Sequence, residues 1–179
     1  KILRHGFKKN NVNWHGKIEI IPIKNINVDF DKLWQRKKNE LPKTLLADRS
    51  SETLRWHFSK FEKFSDETKI LTARLDGELL GYLIVDIENL PNSSFKRLRI
   101  NDFFVSQNSV EIIDALIYKA FIFAKKNNLH SIVVVGFNPI IRKRFMILKP
   151  FKRKLDYMPF MFKTLNSNLL SKLLKKDTW

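Results

Sequence analysis

From Val110 onward the apolar residues recur at helical spacing. Val110, Ile113, Leu116, Ile117, Ala120, Phe121 and Ala124 fall on one face of a long amphipathic helix. Asn108 with Glu111 three residues on predicts a capping box at its start. Lys125-Lys126 before Asn127-Asn128 predicts its end, because cations suit a helix C-terminus and Asn tolerates the left-handed conformation. Ahead of this helix, Leu98, Ile100, Phe103, Phe104 and Val105 predict a mostly buried strand over 98–105. Behind it, SIVVVG at 131–136 is short and β-branched, which predicts an interior strand. Asn138 as cap and Pro139 at the first helical position open a further helix. Together these make a βαβ unit, for which a right-handed crossover is expected.

Upstream, Ile18–Ile23 reads as a strand, placed at an edge by Pro22. Asp29–Asn39 and Ser50–Phe61 read as helices, the first with Phe30, Leu33, Trp34 and Lys37 on one face, the second with Leu54, Phe58 and Phe61 on its apolar side. Leu41-Pro42 separates them. Asp76-Gly77 is a strong two-residue hairpin turn between Lys69–Leu75 and Leu79–Glu88, and strand 98–105 completes a meander with that hairpin. Late in the chain a strand is expected at 155–163 and a short helix at 167–176. The pattern predicts an α/β (α+β) fold. Residues 1–27 are expected to be a lead-in strand or linker from a preceding segment, and 28–179 one domain. The basic start at Lys1–Lys9, without an initiator Met, suggests a piece of a longer protein.

Composition narrows the classes. With 44% hydrophobic and 12% aromatic residues, the 179-residue chain has ample material for a core. The absence of cysteine excludes disulfides, thiolate metal sites and cysteine nucleophiles, and fits a cytoplasmic protein. Four His show no metal-ligand spacing, so no metal is expected. No apolar run reaches the roughly 18 to 20 residues of a transmembrane helix. The net charge of +16 favours anionic partners: nucleic acid, acidic lipid, or a phosphorylated substrate or cofactor. A generally lysine-rich proteome explains the same charge, because many cations stand alone between apolar residues. Denser clusters occur at 36–38, 142–144 and 152–154.

The element order, together with INDFFV at 100–105, SIVVVGFN at 131–138 and LKPF at 148–151, resembles the GNAT acetyltransferase superfamily. FDKLW at 30–34 and LRWHF at 54–58 resemble the C-terminal module of bacterial tandem-GNAT proteins. The resemblance, over about residues 28–179, implies a mixed, mainly antiparallel sheet with helices on both faces. It also implies N-acyl transfer from acetyl-CoA or another acyl-CoA to a small-molecule or glycan amine, by direct attack on the thioester. A second GNAT module or a homodimer is an implied partner. On that pattern Val105, Gln107, Asn108, Ser109 and Asn138 are the cofactor-binding candidates. Asp102 and Glu88, with Asp86 nearby, are the candidate carboxylates for catalysis, and Arg55, Trp56 and His57 a substrate wall. Each has a plainer reading: Asp102 as a charge on a solvated strand face, and Trp56 as a core residue.

Two departures weigh against ordinary cofactor use. The family's phosphate loop needs glycines so that backbone N–H groups approach the diphosphate. Here the loop is SQNSVE at 106–111, glycine-free and with Glu111 where phosphate is expected. Seven residues after Asn138, where the family often has a Tyr general acid, stands Phe145. The alternative is therefore a catalytically inactive GNAT-fold module that binds nucleic acid, glycan or acidic lipid through its basic face, densest from Arg142 to Lys154.

Overall fold

The computed structural model describes residues 14–44, 46–59 and 68–152. In chain order these give strand β1 (Lys17–Pro22), helices α1 (Val28–Glu40) and α2 (Ser51–Ser59), and strands β2 (Thr68–Leu75), β3 (Glu78–Asn89) and β4 (Lys96–Val105). A short 3-10 turn (Ser106–Asn108) leads into α3 (Val110–Lys126), followed by β5 (Ser131–Val134) and α4 (Pro139–Met146). The five strands form one sheet in the order β1-β2-β3-β4-β5. β1 to β4 pair antiparallel; β4 and β5 are parallel and joined through α3. The expected strand at 155–163 and helix at 167–176 lie outside the described residues.

Alternation along the strands supplies two cores. Leu71, Ala73, Leu83, Val85, Leu98 and Ile100 face α3 and α4, meeting Ile113, Leu116, Ile117 and Ile141. Ile70, Tyr82, Ile84 and Phe104 face the other way, onto Phe30 and Leu33 of α1 and Leu54 and Phe58 of α2. Helices on both faces of a mixed, mainly antiparallel sheet are the arrangement expected. The hairpin turn is also as expected: Asp76 (φ 50°) and Gly77 (φ 82°) both have positive φ, as a tight two-residue turn requires. Among the described residues β1 is an edge strand, and it runs its whole length along β2.

Three local expectations are corrected. The N-cap of α3 is Ser109, whose side chain accepts from the Ile112 amide, and not Asn108. Asn108 has φ 49°, unlike the extended backbone of a capping residue, and its side chain is turned to Lys37 instead. β5 is less buried than expected, half-buried with Ile132 packing on the α3-side core and Val134 exposed, and among the described residues it pairs with β4. Trp56 is not core; it stands on the outer side of α2 with 56% of its surface exposed, because Leu54 and Phe58 take the inward positions.

Candidate functional site

The site is built around an irregularity in β4. Ile84 of β3 faces Asp102 and the next residue, Val85, faces Ile100, so Asn101 is an extra residue in the ladder. Such a bulge shifts the alternation by one. Leu98 and Ile100 before it, and Phe103 and Val105 after it, therefore all point to the α3 side. The parallel pairing of β4 with β5 stops at the same place, at Ile100 opposite Val134. Beyond it, residues 101–105 have β3 on one side and, among the described residues, no strand on the other. β5 itself ends at Val134, so β4 runs on past the C-terminal end of its parallel neighbour. In open α/β sheets this is where ligands are taken up.

On the α1 side of the bulge lies a buried polar cluster. Asp102 is 8% exposed, so the solvated-face reading of this residue does not hold. Arg49, from the segment between α1 and α2, grips it in bidentate fashion, Nη2 to Oδ1 at 3.0 Å and Nε to Oδ2 at 3.0 Å. The Tyr82 hydroxyl donates to Oδ2 at 2.8 Å. Arg49 also lies over the Phe104 ring, 5.1 Å from its centre, and Phe104 stacks with Tyr82. Burial pushes the Tyr82 phenol well above its ordinary range, and the Asp102 charge beside it adds to this. Burial works against the Arg49 charge, but Asp102 outweighs it, so the guanidinium holds its proton more firmly than usual.

Arg49 is delivered by anchors on either side of it. The amide and hydroxyl of Ser50 bond to Asp48 (2.8 and 3.2 Å), and those of Ser51 bond to Asp31 of α1 (2.7 and 2.8 Å). These contacts fix the start of α2 against α1.

A second cluster closes the turn between β4 and α3. Gln107 and Asn108 both have positive φ, which turns the Gln107 amide outward toward the end of α1. There the Glu40 carboxylate accepts from the Ser106 hydroxyl at 2.8 Å and from the Gln107 amide at 3.0 and 2.9 Å. Lys37, itself buried, donates to Glu40 at 3.1 Å and to Asn108 at 3.2 Å. Partial burial opposes the Glu40 charge, yet the bonds from Ser106, Gln107 and Lys37 hold its carboxyl below the ordinary range.

The expected site residues are dispersed over these features. Val105 is buried in the core at the end of β4, Gln107 and Asn108 form the Glu40 cluster, and Ser109 and Asn138 cap α3 and α4. Glu88 is not beside Asp102. It lies opposite Arg97, four positions along β3 from Ile84, or about 13 Å at strand spacing, and is ion-paired with Arg97 and Arg99. Asp86 is buried between these two positions on β3. Arg55, Trp56 and His57 follow one another on the exposed side of α2, Arg55 donating to the Ile26 carbonyl and His57 packing edge-on to Phe58. Phe145 packs edge-on to Phe103 in the core and offers no proton. Arg49, Tyr82 and Glu40 were not among the sequence candidates. For the bulge there was a signal: the apolar phase slips from Leu98 and Ile100 to Phe103 and Val105.

No family model and no curated protein matches the sequence. Solved structures do. An aminoglycoside acetyltransferase from an uncultured soil metagenomic sample, in complex with sisomicin, superposes with a TM-score of 0.60 at 15% identity, over 87% of this chain and 100% of that one. The ribosomal-protein-alanine N-acetyltransferase of Brucella melitensis biovar Abortus 2308 gives 0.52 at 15% identity, over 83% and 99%. A predicted acetyltransferase of Clostridium acetobutylicum with acetyl-CoA gives 0.54 at 13%, over 82% and 96%. The fold is that of the GNAT acetyltransferases. In the turn before α3 the outward Gln107 amide and the Ser106 hydroxyl are already bonded to the Glu40 carboxylate.

Proposed function

We propose that the chain is a GNAT-type N-acyltransferase that passes an acetyl or related acyl group from a pantetheine thioester to a small-molecule or glycan amine. The observation that carries this reading is the run of β4 beyond the Asn101 bulge, past the end of parallel β5, where among the described residues no strand pairs on that side. Extended chains with regularly placed amides bind such edges by adding to the ladder, and the pantetheine arm has two amides. In the reaction the acceptor nitrogen attacks the thioester carbonyl. The N–C bond forms, the C–S bond breaks, and the proton lost by the nitrogen balances the charge on the departing thiolate. This chain's residues orient and enclose. Arg49, Asp102, Tyr82 and Phe104 form a rigid wall on the α1 side of the bulge, and the exposed Arg55, Trp56 and His57 are read as the outer rim for the acceptor. Asp102 is read as the holder of that wall, since both its oxygens already accept hydrogen bonds.

Calorimetric titration with acetyl-CoA and free CoA at low and high salt, followed by an acetylation assay on a panel of amines, tests the reading. Salt-insensitive binding with a preference for the acetylated form, and turnover of at least one amine, is the expected result. Binding that disappears with salt supports instead an inactive module that takes anionic partners on its basic face, for which the closed turn before α3 speaks.

A further inference from the structure

The β4–α3 turn has the makings of an anion cradle: an outward amide at a left-handed residue, a hydroxyl beside it, and a helix start directly behind. It is filled from within. Glu40 arrives from the last turn of α1 and takes the Gln107 amide on both carboxylate oxygens and the Ser106 hydroxyl on one. Lys37 neutralises it from the buried side and pins Asn108 in the same turn. At the start of α3 the Ser109 hydroxyl caps the Ile112 amide and donates to Glu111 at 2.8 Å, so a second carboxylate stands over the helix start. A phosphate placed here meets occupied donors and two like charges.

We propose that Glu40 is a specificity-determining residue that closes the β4–α3 turn to phosphate, so that the acyl donor is recognised by its pantetheine arm alone. This rests on the acyl-transfer reading above. Under it, the nucleotide diphosphate adds nothing to donor affinity, and simple pantetheine thioesters are as good as coenzyme A thioesters. Glu40 stays ionised at neutral pH because its partners hold the carboxyl below its ordinary range, so the closure persists under ordinary conditions. Removing the carboxylate frees the Gln107 amide and the Ser106 hydroxyl and leaves Lys37 without its anion, which turns the closed turn into a phosphate site.

The test is the affinity of the chain for S-acetyl-CoA and for S-acetylpantetheine, which has no phosphate, in wild type, Glu40→Gln and Glu40→Ala. The wild type is expected to bind the two within about twofold. Glu40→Ala is expected to gain about tenfold for S-acetyl-CoA, the scale of one charge-assisted hydrogen bond, and nothing for S-acetylpantetheine. Glu40→Gln keeps an acceptor for the Gln107 amide without the charge, holds the turn together, and is expected to fall between. A wild type that prefers S-acetyl-CoA by about tenfold or more overturns the proposal. So does a loss of both ligands alike in a folded Glu40→Gln variant, which assigns Glu40 a purely structural role. Failure of both ligands to bind the wild type overturns the acyl-transfer reading, and the proposal with it.

Discussion

Arg49 and Asp102 meet from 53 positions apart in the chain, and much of the α1-side wall depends on the pair. A buried carboxylate deprived of its cation loses about 3–5 kcal/mol of stability, so Arg49→Ala is expected to fall at the high-cost end in urea unfolding. Tyr82→Phe removes one hydrogen bond to a charged group, about 1.5–3 kcal/mol. The double variant should cost less than the sum, because the two residues share one partner. Glu40 and Glu88 are the titration counterparts. Each is partly buried, which alone raises its pKa, but hydrogen bonds and nearby cations hold both below the ordinary 4.5. Their contribution to stability is therefore complete above that value and lost as the pH falls from it through their lower folded-state pKa values. Thermal unfolding should show a falling midpoint below about pH 4.5, with a shallower slope in Glu88→Gln. Asp102 and Glu88 are legible in the sequence as candidate carboxylates, whereas Arg49, Tyr82 and Glu40 are not. Arg49 sits in an irregular segment with no period, and Glu40 reads as an ordinary solvated carboxylate at a helix end.

At the scale of elements the sequence was more informative. The hairpin, the two α1-side helices, the long α3 and the Asn138-Pro139 start of α4 are all where their patterns place them, because each rests on local chemistry. One cap is misplaced for a physical reason. Asn108 and Ser109 are both capping residue types, and only the backbone decides between them; the left-handed Gln107-Asn108 pair moves the cap one residue on. The strand expected at 98–105 forms as β4, and the change of phase in its apolar residues marks the bulge within it. Ser109→Ala and Asn138→Ala are each expected to cost about 1 kcal/mol, measured by chemical denaturation. Asn108→Ala should separate from Ser109→Ala by leaving the amide exchange of the first α3 turn unchanged.

For the whole molecule, the fold is shared with acetyltransferases named for different acceptors, so the fold by itself names no acceptor for this chain. The charge of +16 is a separate property. Part of it is already neutralised in place: Arg36 pairs with Glu78, Lys37 with Glu40, and Arg144 with Asp114. Arg142, Lys143, Lys149 and Lys152 remain exposed on and after α4. If these four meet a nucleic-acid backbone, the logarithmic salt slope is about −3.6, or roughly a hundredfold loss between 50 and 200 mM salt. Filter binding to duplex DNA checks this, and Arg142→Gln with Lys143→Gln should reduce the slope by about half.

The unpaired side of β4 has a bearing on how the protein is made. An edge over 101–105 that, among the described residues, pairs with no strand is as welcoming to a strand from a second, half-folded copy as to any ligand. The same opening is thus a weak point for aggregation during synthesis. A small extended amide that lodges there should act as a folding aid, raising the soluble fraction recovered from expression cultures. Such a gain should vanish when Asn101 is deleted and the strand runs straight.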